Sequence, residues 1–286
     1  MPTVYLNGQY LPQEHATVSV MDRGFLFGDG VYEVIPVYDR HPFRLAEHLR
    51  RLQQSLDGIR LASPHSASEW TTLVQGIVAH CDWNDLGVYL QVTRGPGPRD
   101  HVFPAQAHPT VLLMPLQLSA PAPDLVEHGV AAITAQDNRW LRCDLKATSL
   151  LANVLLRQLS LDAGCAETIL LRDGWLMEGA ASSVFIVRDG VILAPPESNL
   201  ILPGVTYEVV LEIAREQGLP HAVRPVSEAE LRSADEVWIT SSTKEVMAVT
   251  RLDDQPVGDA RPGPVFRRVL AAYQAYKHSV MRGRAA

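Results

Sequence analysis

At 286 residues, with 47% hydrophobic and 20% charged side chains, the chain has the make-up of a globular protein with one large or two ordinary domains. A formal charge of −7 without any Lys/Arg run argues against nucleic acid or an anionic membrane as partner, and no apolar stretch nears the roughly 20 residues of a membrane span. Cys81, Cys143 and Cys165 form no CxxC pair and Met1-Pro2-Thr3-Val4-Tyr5 no basic-then-apolar leader, which reads as a protein of the reducing cytoplasm.

In chain order, Val4-Tyr5-Leu6 followed by Asn7-Gly8 predicts a hairpin. Gly24 to Gly30 reads as a glycine-punctuated turn leading into a strand from Val31 to Tyr38. Leu45, Leu49, Leu52 and Leu56 recur at helical spacing, with Gly58 as the expected stop. The capping box Ser66-Ala67-Ser68-Glu69 opens a second helix through Trp70, Val74 and Ile77. Strands are expected at Gly87 to Arg94 and Thr110 to Pro115.

The Pro/Ala stretch Ser119-Ala120-Pro121-Ala122-Pro123 reads as an interdomain linker. The expected division is a smaller domain over 1–118, a linker over 119–124 and a larger domain over 125–286. A strand is predicted at Val130 to Ala135. A helix from Ser149 to Ala163 is expected to bury Leu150, Leu151, Val154, Leu155 and Leu159. Hairpins turn at Asp173-Gly174 and Asp189-Gly190. Helices open after Pro203-Gly204-Val205-Thr206 and after Ser227. A strand at Val237 to Thr240 precedes Ser241-Ser242-Thr243, and Pro264 to Ser279 forms the last helix. With hairpins dominating, the fold class is α+β in two domains.

Three lysines, Lys146, Lys244 and Lys277, stand against twenty-two arginines. A lysine kept under such a bias is a candidate for amine chemistry that a guanidinium cannot perform. Lys146, between a predicted strand and a helix start, suits a Schiff base; a solvated loop lysine is the plainer alternative. Glu178 precedes the small residues Gly179-Ala180-Ala181-Ser182-Ser183, which leave room for a ligand, although alone it reads first as an edge-strand glutamate. The helix start at Val205 and Thr206, the hydroxyls at Ser241-Ser242-Thr243 and Arg51 could together hold a phosphate, Thr206 being also an ordinary N-cap. Arg99 and His101 stand two apart on a Gly/Pro loop and could hold a small carboxylate, or simply face solvent. No histidine or cysteine spacing suggests a metal.

These pieces resemble one family, the fold-type IV pyridoxal-phosphate aminotransferases, and within it the D-amino acid transaminases. The resemblance runs from Asn7 to Tyr273. It rests on Asp22-Arg23-Gly24, Phe27 to Val34, Glu47-His48-Leu49 with Arg51, Gln91 to Gly95 with Arg99 and His101, Arg139 to Asp144 with Lys146, and Glu178-Gly179. It implies pyridoxal 5'-phosphate as a Schiff base on Lys146, with Glu178 at the ring nitrogen and Leu202 against the ring. Arg51, Val205, Thr206 and Ser242 would hold the phosphate. Tyr32, Arg99 and His101 would hold the substrate carboxylate, the last two reaching in from the other subunit of a homodimer. The implied activity is ping-pong transfer between a D-amino acid and a 2-oxo acid. Branched-chain L-amino acid aminotransferases, R-selective amine transaminases and aminodeoxychorismate lyases share the fold. Ala147, Ala180, Ala181 and Ser183 depart from the family's usual hydroxyls and amide.

Overall fold

The computed structural model describes residues 2–281; Met1 and residues 282–286 of the expected domains lie outside the described residues. The chain divides into two compact units.

The first unit is a six-stranded antiparallel sheet, among the described residues, with helices over one face. Its hairpin β1 (Thr3–Leu6) and β2 (Gln9–Pro12) turns through Asn7 and Gly8, both at positive φ. The expected turn at Gly24 is instead a short helix, α1 (Arg23–Phe27), because Asp22 caps the Gly24 N–H and left-handed Gly28 stops it. The sheet order is β2-β1-β6-β5-β3-β4, with β3 (Gly30–Tyr38), β4 (His41–Pro42), β5 (Leu86–Thr93) and β6 (Thr110–Gln117).

Helices α2 (Leu45–Gly58) and α3 (Ala67–Ala79) lay Leu49, Leu52, Leu56, Trp70, Val74 and Ile77 into a core with Val31, Ile35, Val88 and Leu113. The capping box of α3 forms as expected. Gly58 does not end α2 by a left-handed turn: it lies within the helix, and a Cβ there would come 2.3 Å from Leu145 Cδ2. The glycine serves a close approach.

The second unit carries a nine-stranded mixed sheet, again among the described residues. After α4 (Pro123–His128) come β7 (Val130–Gln136), α5 (Leu151–Asp162), β8 (Glu167–Arg172), β9 (Trp175–Gly179), β10 (Ser183–Arg188) and β11 (Val191–Ala194). Then follow α6 (Val205–Glu216), β12 (His221–Val223), α7 (Glu228–Arg232), β13 (Glu236–Ser241), β14 (Glu245–Leu252), β15 (Gln255–Pro256) and α8 (Pro264–Tyr276). The order is β12-β11-β10-β13-β14-β7-β8-β9, with β15 on β14; β7 runs parallel to both its neighbours. Val184, Ile186, Val237 and Ile239 face one core, while Phe185 and Trp238 turn the opposite way, towards Tyr207 of α6 and Phe266 of α8.

Two expectations are corrected by this arrangement. The break falls after Ser119, but Leu145–Leu150 leaves the C-terminal part and groups with the first unit, carrying Lys146 with it. The cause is backbone pairing: Tyr32 N–H donates to the Lys146 carbonyl at 2.9 Å, Thr148 N–H to that of Gly30 at 2.9 Å, and Ala147 bridges Val31. The apolar stripe of α5 is not its buried face either. Leu156 and Ser160 are buried, whereas Leu151, Val154, Leu155 and Leu159 are exposed, Leu151 to 73%.

Candidate active site

In the first unit, strand alternation puts Val31, Glu33 and Ile35 on the core side of β3 and leaves Tyr32 on the other. Lys146 lies beside β3. Its N–H donates to Ser55 Oγ of α2 at 3.1 Å, and its Nζ lies 4.3 Å from the centroid of the Tyr32 ring. Tyr32 in turn stacks on Tyr89, whose phenol burial pushes up to about 12. The other two lysines are committed to carboxylates, Lys244 to Glu167 at 3.4 Å and Lys277 to Glu245. Among the described residues Lys146 makes no such pair.

Glu33 would be an isolated charge in the core without α2. His48 and Arg51, three apart, share the helix face that meets it. Arg51 donates Nε and Nη2 to the carboxylate at 2.7 and 2.8 Å, and His48 Nδ1 lies 2.8 Å from it. Although burial opposes ionisation, the Arg51 guanidinium and the two hydrogen-bonding side chains hold the Glu33 carboxyl well below the usual range. Burial pushes the His48 imidazole down, so Nδ1 carries the hydrogen that Glu33 accepts; Nε2 is buried without a partner. Arg51 is thereby held in one orientation.

A depressed carboxyl stabilises the fold above its unfolded pKa, and that contribution is lost as pH falls through the folded value. Glu33→Gln should therefore cost about 3–5 kcal/mol at pH 7, the range for breaking a buried pair. Below about pH 4.5 the gap to wild type should narrow. Urea unfolding at pH 7 and pH 4 checks this; a constant gap would contradict it.

The loop after β5 displays Arg99 and His101, both exposed. They meet around one ring: the Arg99 guanidinium lies 5.8 Å and the His101 ring 5.5 Å from the centroid of Phe27.

In the second unit Glu178, on β9, is 5% exposed. Its Oε1 accepts from Arg139 Nη1 at 2.5 Å, and both oxygens accept from the Leu202 N–H at 3.2–3.3 Å. Arg139 is locked by Asp137, Nε to Oδ1 at 2.9 Å and Nη2 to Oδ2 at 3.0 Å, and Arg172 pairs with the same aspartate at 3.0 Å. Burial pushes the Glu178 carboxyl up to about 7 against the pull of Arg139. A carboxyl so poised changes charge easily with one more cation beside it.

Further along, α6 begins with Val205 and Thr206 buried and no side chain capping it. Gly204, before it, approaches Ser183 so closely that a Cβ would lie 2.8 Å from Ser183 Oγ. Ser183 is paired with Thr240 on β13, and the Thr240 hydroxyl is buried without a partner. Ser242 lies in the turn after β13. Helix start, strand end and an orphaned hydroxyl thus converge.

The family model for class IV aminotransferases matches residues 30–252. The chain belongs to the class IV aminotransferases. It is 41% identical to D-alanine aminotransferase of Bacillus licheniformis over 95% of both chains, and 38% identical to that of Staphylococcus epidermidis over 98% of this chain and all of the relative. Among solved structures it resembles branched-chain amino acid aminotransferase of Escherichia coli, with a TM-score of 0.91, 26% identity and coverage of 100% and 96%. A branched-chain enzyme from T.th., solved with pyridoxamine 5'-phosphate, gives a TM-score of 0.91, 27% identity and coverage of 99% and 95%. Pyridoxal phosphate is the cofactor of the class.

In this class IV aminotransferase, sequence reasoning held Glu33, His48 and Arg139 within the quoted motifs without giving them a role, and it did not single out the Thr240 hydroxyl. The i, i+3 spacing of His48 and Arg51 opposite a carboxylate on an apolar strand would have flagged the first two. Arg139 reaches Glu178 across 39 residues, and no local signal reveals that. Among the described residues no cluster could hold a metal and no helix is long and apolar enough to cross a membrane.

Proposed function

We propose that the enzyme transfers the amino group of a D-amino acid, D-alanine first, to a 2-oxo acid such as 2-oxoglutarate. The observation that carries this is the near full-length identity of 41% to a D-alanine aminotransferase, against 26–27% to branched-chain enzymes of the same fold. The grouping of Arg99 and His101 supports it, because two donors on one loop suit a carboxylate better than an alkyl chain.

The residues of each unit fit the class cofactor on their own chemistry. Thr240's orphaned hydroxyl, the uncapped start of α6 and the tight Gly204 approach suit a phosphate, which Val205, Thr206 and Ser242 would hold; the family resemblance adds Arg51 to these. Glu178 suits a protonated ring nitrogen, and Leu202, whose N–H orients that carboxylate, would lie against the ring. Lys146 carries the amine. When bound, pyridoxal phosphate supplies an electron sink that acidifies the substrate Cα–H. Lys146 Nζ would take the proton from the substrate Cα and hold it for return, while an ionised Glu178 would hold the protonated ring nitrogen. Tyr32, Arg99 and His101 hold the substrate carboxylate and so decide which hand presents its proton to Lys146.

The enzyme works as a homodimer in which Arg99 and His101 serve the partner's substrate. The exposed apolar face of α5, with Trp140 and Leu141 also exposed, supports such a contact. The enzyme acts in the cytoplasm.

Arg99→Ala should raise KM for D-alanine and for 2-oxo acids together, by about ten- to a hundredfold, the loss expected of one charge-assisted hydrogen bond. Steady-state kinetics with both substrates checks this. An unchanged KM for both would contradict the assignment.

A further inference from the structure

Arg23 takes no part in the chemistry above, yet its guanidinium is buried, the residue being 3% exposed. A buried charge of this size persists only with partners. One is Asp29, whose Oδ2 lies 2.8 Å from Nε. The others are backbone carbonyls of the exposed loop: Nη1 donates to that of Asp100 at 2.5 Å and of Val102 at 3.3 Å, and Nη2 to that of His101 at 3.5 Å. Three successive carbonyls thus converge on one side chain.

The same guanidinium lies 4.8 Å from the centroid of Phe27, the ring that Arg99 and His101 also approach. Asp29 is gripped in addition by Arg94, through Nε at 2.8 Å and Nη2 at 3.0 Å, and Arg94 stacks 3.8 Å from the Phe103 centroid. Backbone bonds tie the root of the loop to the same place, Arg23 N–H to the Gly95 carbonyl at 2.9 Å and Gly97 N–H to that of Met21 at 3.1 Å. Gly24 is required there, since a Cβ would lie 2.2 Å from Thr93 Cγ2.

We propose that Arg23 is the positioning residue of the substrate-carboxylate site: by gathering the carbonyls of Asp100, His101 and Val102, it fixes the loop on which Arg99 and His101 stand. The inference rests on the reading of Arg99 and His101 as carboxylate ligands. Residues 97–109 have no regular secondary structure, so without the tether the loop would have to be ordered at each binding event. Lysine cannot replace Arg23, because one ammonium cannot span Asp29 and three carbonyls as a planar fork does.

The test uses the holoenzyme, comparing Arg23→Lys, Arg23→Gln and Phe27→Leu with Arg99→Ala. In the Arg23 variants KM for D-alanine and for 2-oxoglutarate should rise about tenfold or more, with kcat within about threefold of wild type, as expected when the loop must be ordered on binding. Trypsin cleavage after Arg99, mapped by mass spectrometry, should quicken. Phe27→Leu, which keeps Arg23 but removes the shared ring, should shift KM the same way and decides the matter if the Arg23 variants do not fold. Unchanged KM and unchanged cleavage in folded variants, while Arg99→Ala still raises KM, would overturn the role of Arg23 alone. Unchanged KM in Arg99→Ala would overturn the carboxylate reading with it.

Discussion

Lys146→Ala should lower turnover about ten-thousandfold or more, since under the proposed function one substitution removes both the covalent anchor and the proton-transfer base. The fold should survive. What ties this segment to β3 and α2 is backbone, the Lys146 N–H on Ser55 Oγ and the Tyr32 N–H on the Lys146 carbonyl, and alanine keeps both. The side chain makes no ion pair among the described residues whose loss would leave a buried charge. Borohydride reduction and peptide mapping of the wild type should place the cofactor on Lys146 rather than on Lys244 or Lys277, whose amines face Glu167 and Glu245. Under the proposed homodimer, mixing Lys146→Ala with Arg99→Ala chains should restore part of the activity at low substrate, because one site of a mixed dimer would then have both residues. Near-normal turnover by folded Lys146→Ala would remove the lysine from the chemistry.

Glu178→Lys should cost nearly as much. The carboxylate is buried, and its neighbour Arg139 is immobilised by Asp137. A cation in its place would stand against Arg139 and against a protonated ring nitrogen. Reversing one charge at such a distance is worth about 4 kcal/mol in a partly shielded site, near a thousandfold in rate. Glu178→Gln separates charge from shape: it still accepts from the Leu202 N–H but cannot keep the ring nitrogen protonated. Turnover by Glu178→Gln should fall with KM little changed. If both variants kept near-normal kcat, the pairing of Glu178 with the ring would be wrong.

Much of this was legible in the sequence because the signals were local. The Asn7-Gly8, Asp173-Gly174 and Asp189-Gly190 turns, the Ser66–Glu69 capping box and the leucine period of α2 each lie within a few residues of what they determine. Lys146 stood out through the scarcity of lysine. What escaped was long-range. The segment around Lys146 joins the first unit through bonds to Gly30, Tyr32 and Ser55, about ninety or more positions earlier. Helical period alone marks an apolar stripe on α5 without saying what covers it, and within one chain the stripe is exposed. Gly58 read as a helix stop, yet it answers to Leu145. The tether from Arg23 to the carbonyls of the loop spans 77 to 79 positions and leaves no periodic trace.

The hand of the substrate tests the central claim most directly. Purified holoenzyme is given 2-oxoglutarate with D-alanine, L-alanine, L-leucine or L-valine, and L- and D-glutamate are separated in the product. If Tyr32, Arg99 and His101 hold the carboxylate as proposed, the D-enantiomer would present its Cα proton to Lys146. Reversing the placement would take the carboxylate away from the Arg99 and His101 donors, and leaving such a charge unpaired costs several kcal/mol. The expected result is turnover of D-alanine with a preference of about a thousandfold over L-alanine, and D-glutamate as product. Faster turnover of L-leucine or L-valine than of D-alanine would contradict it.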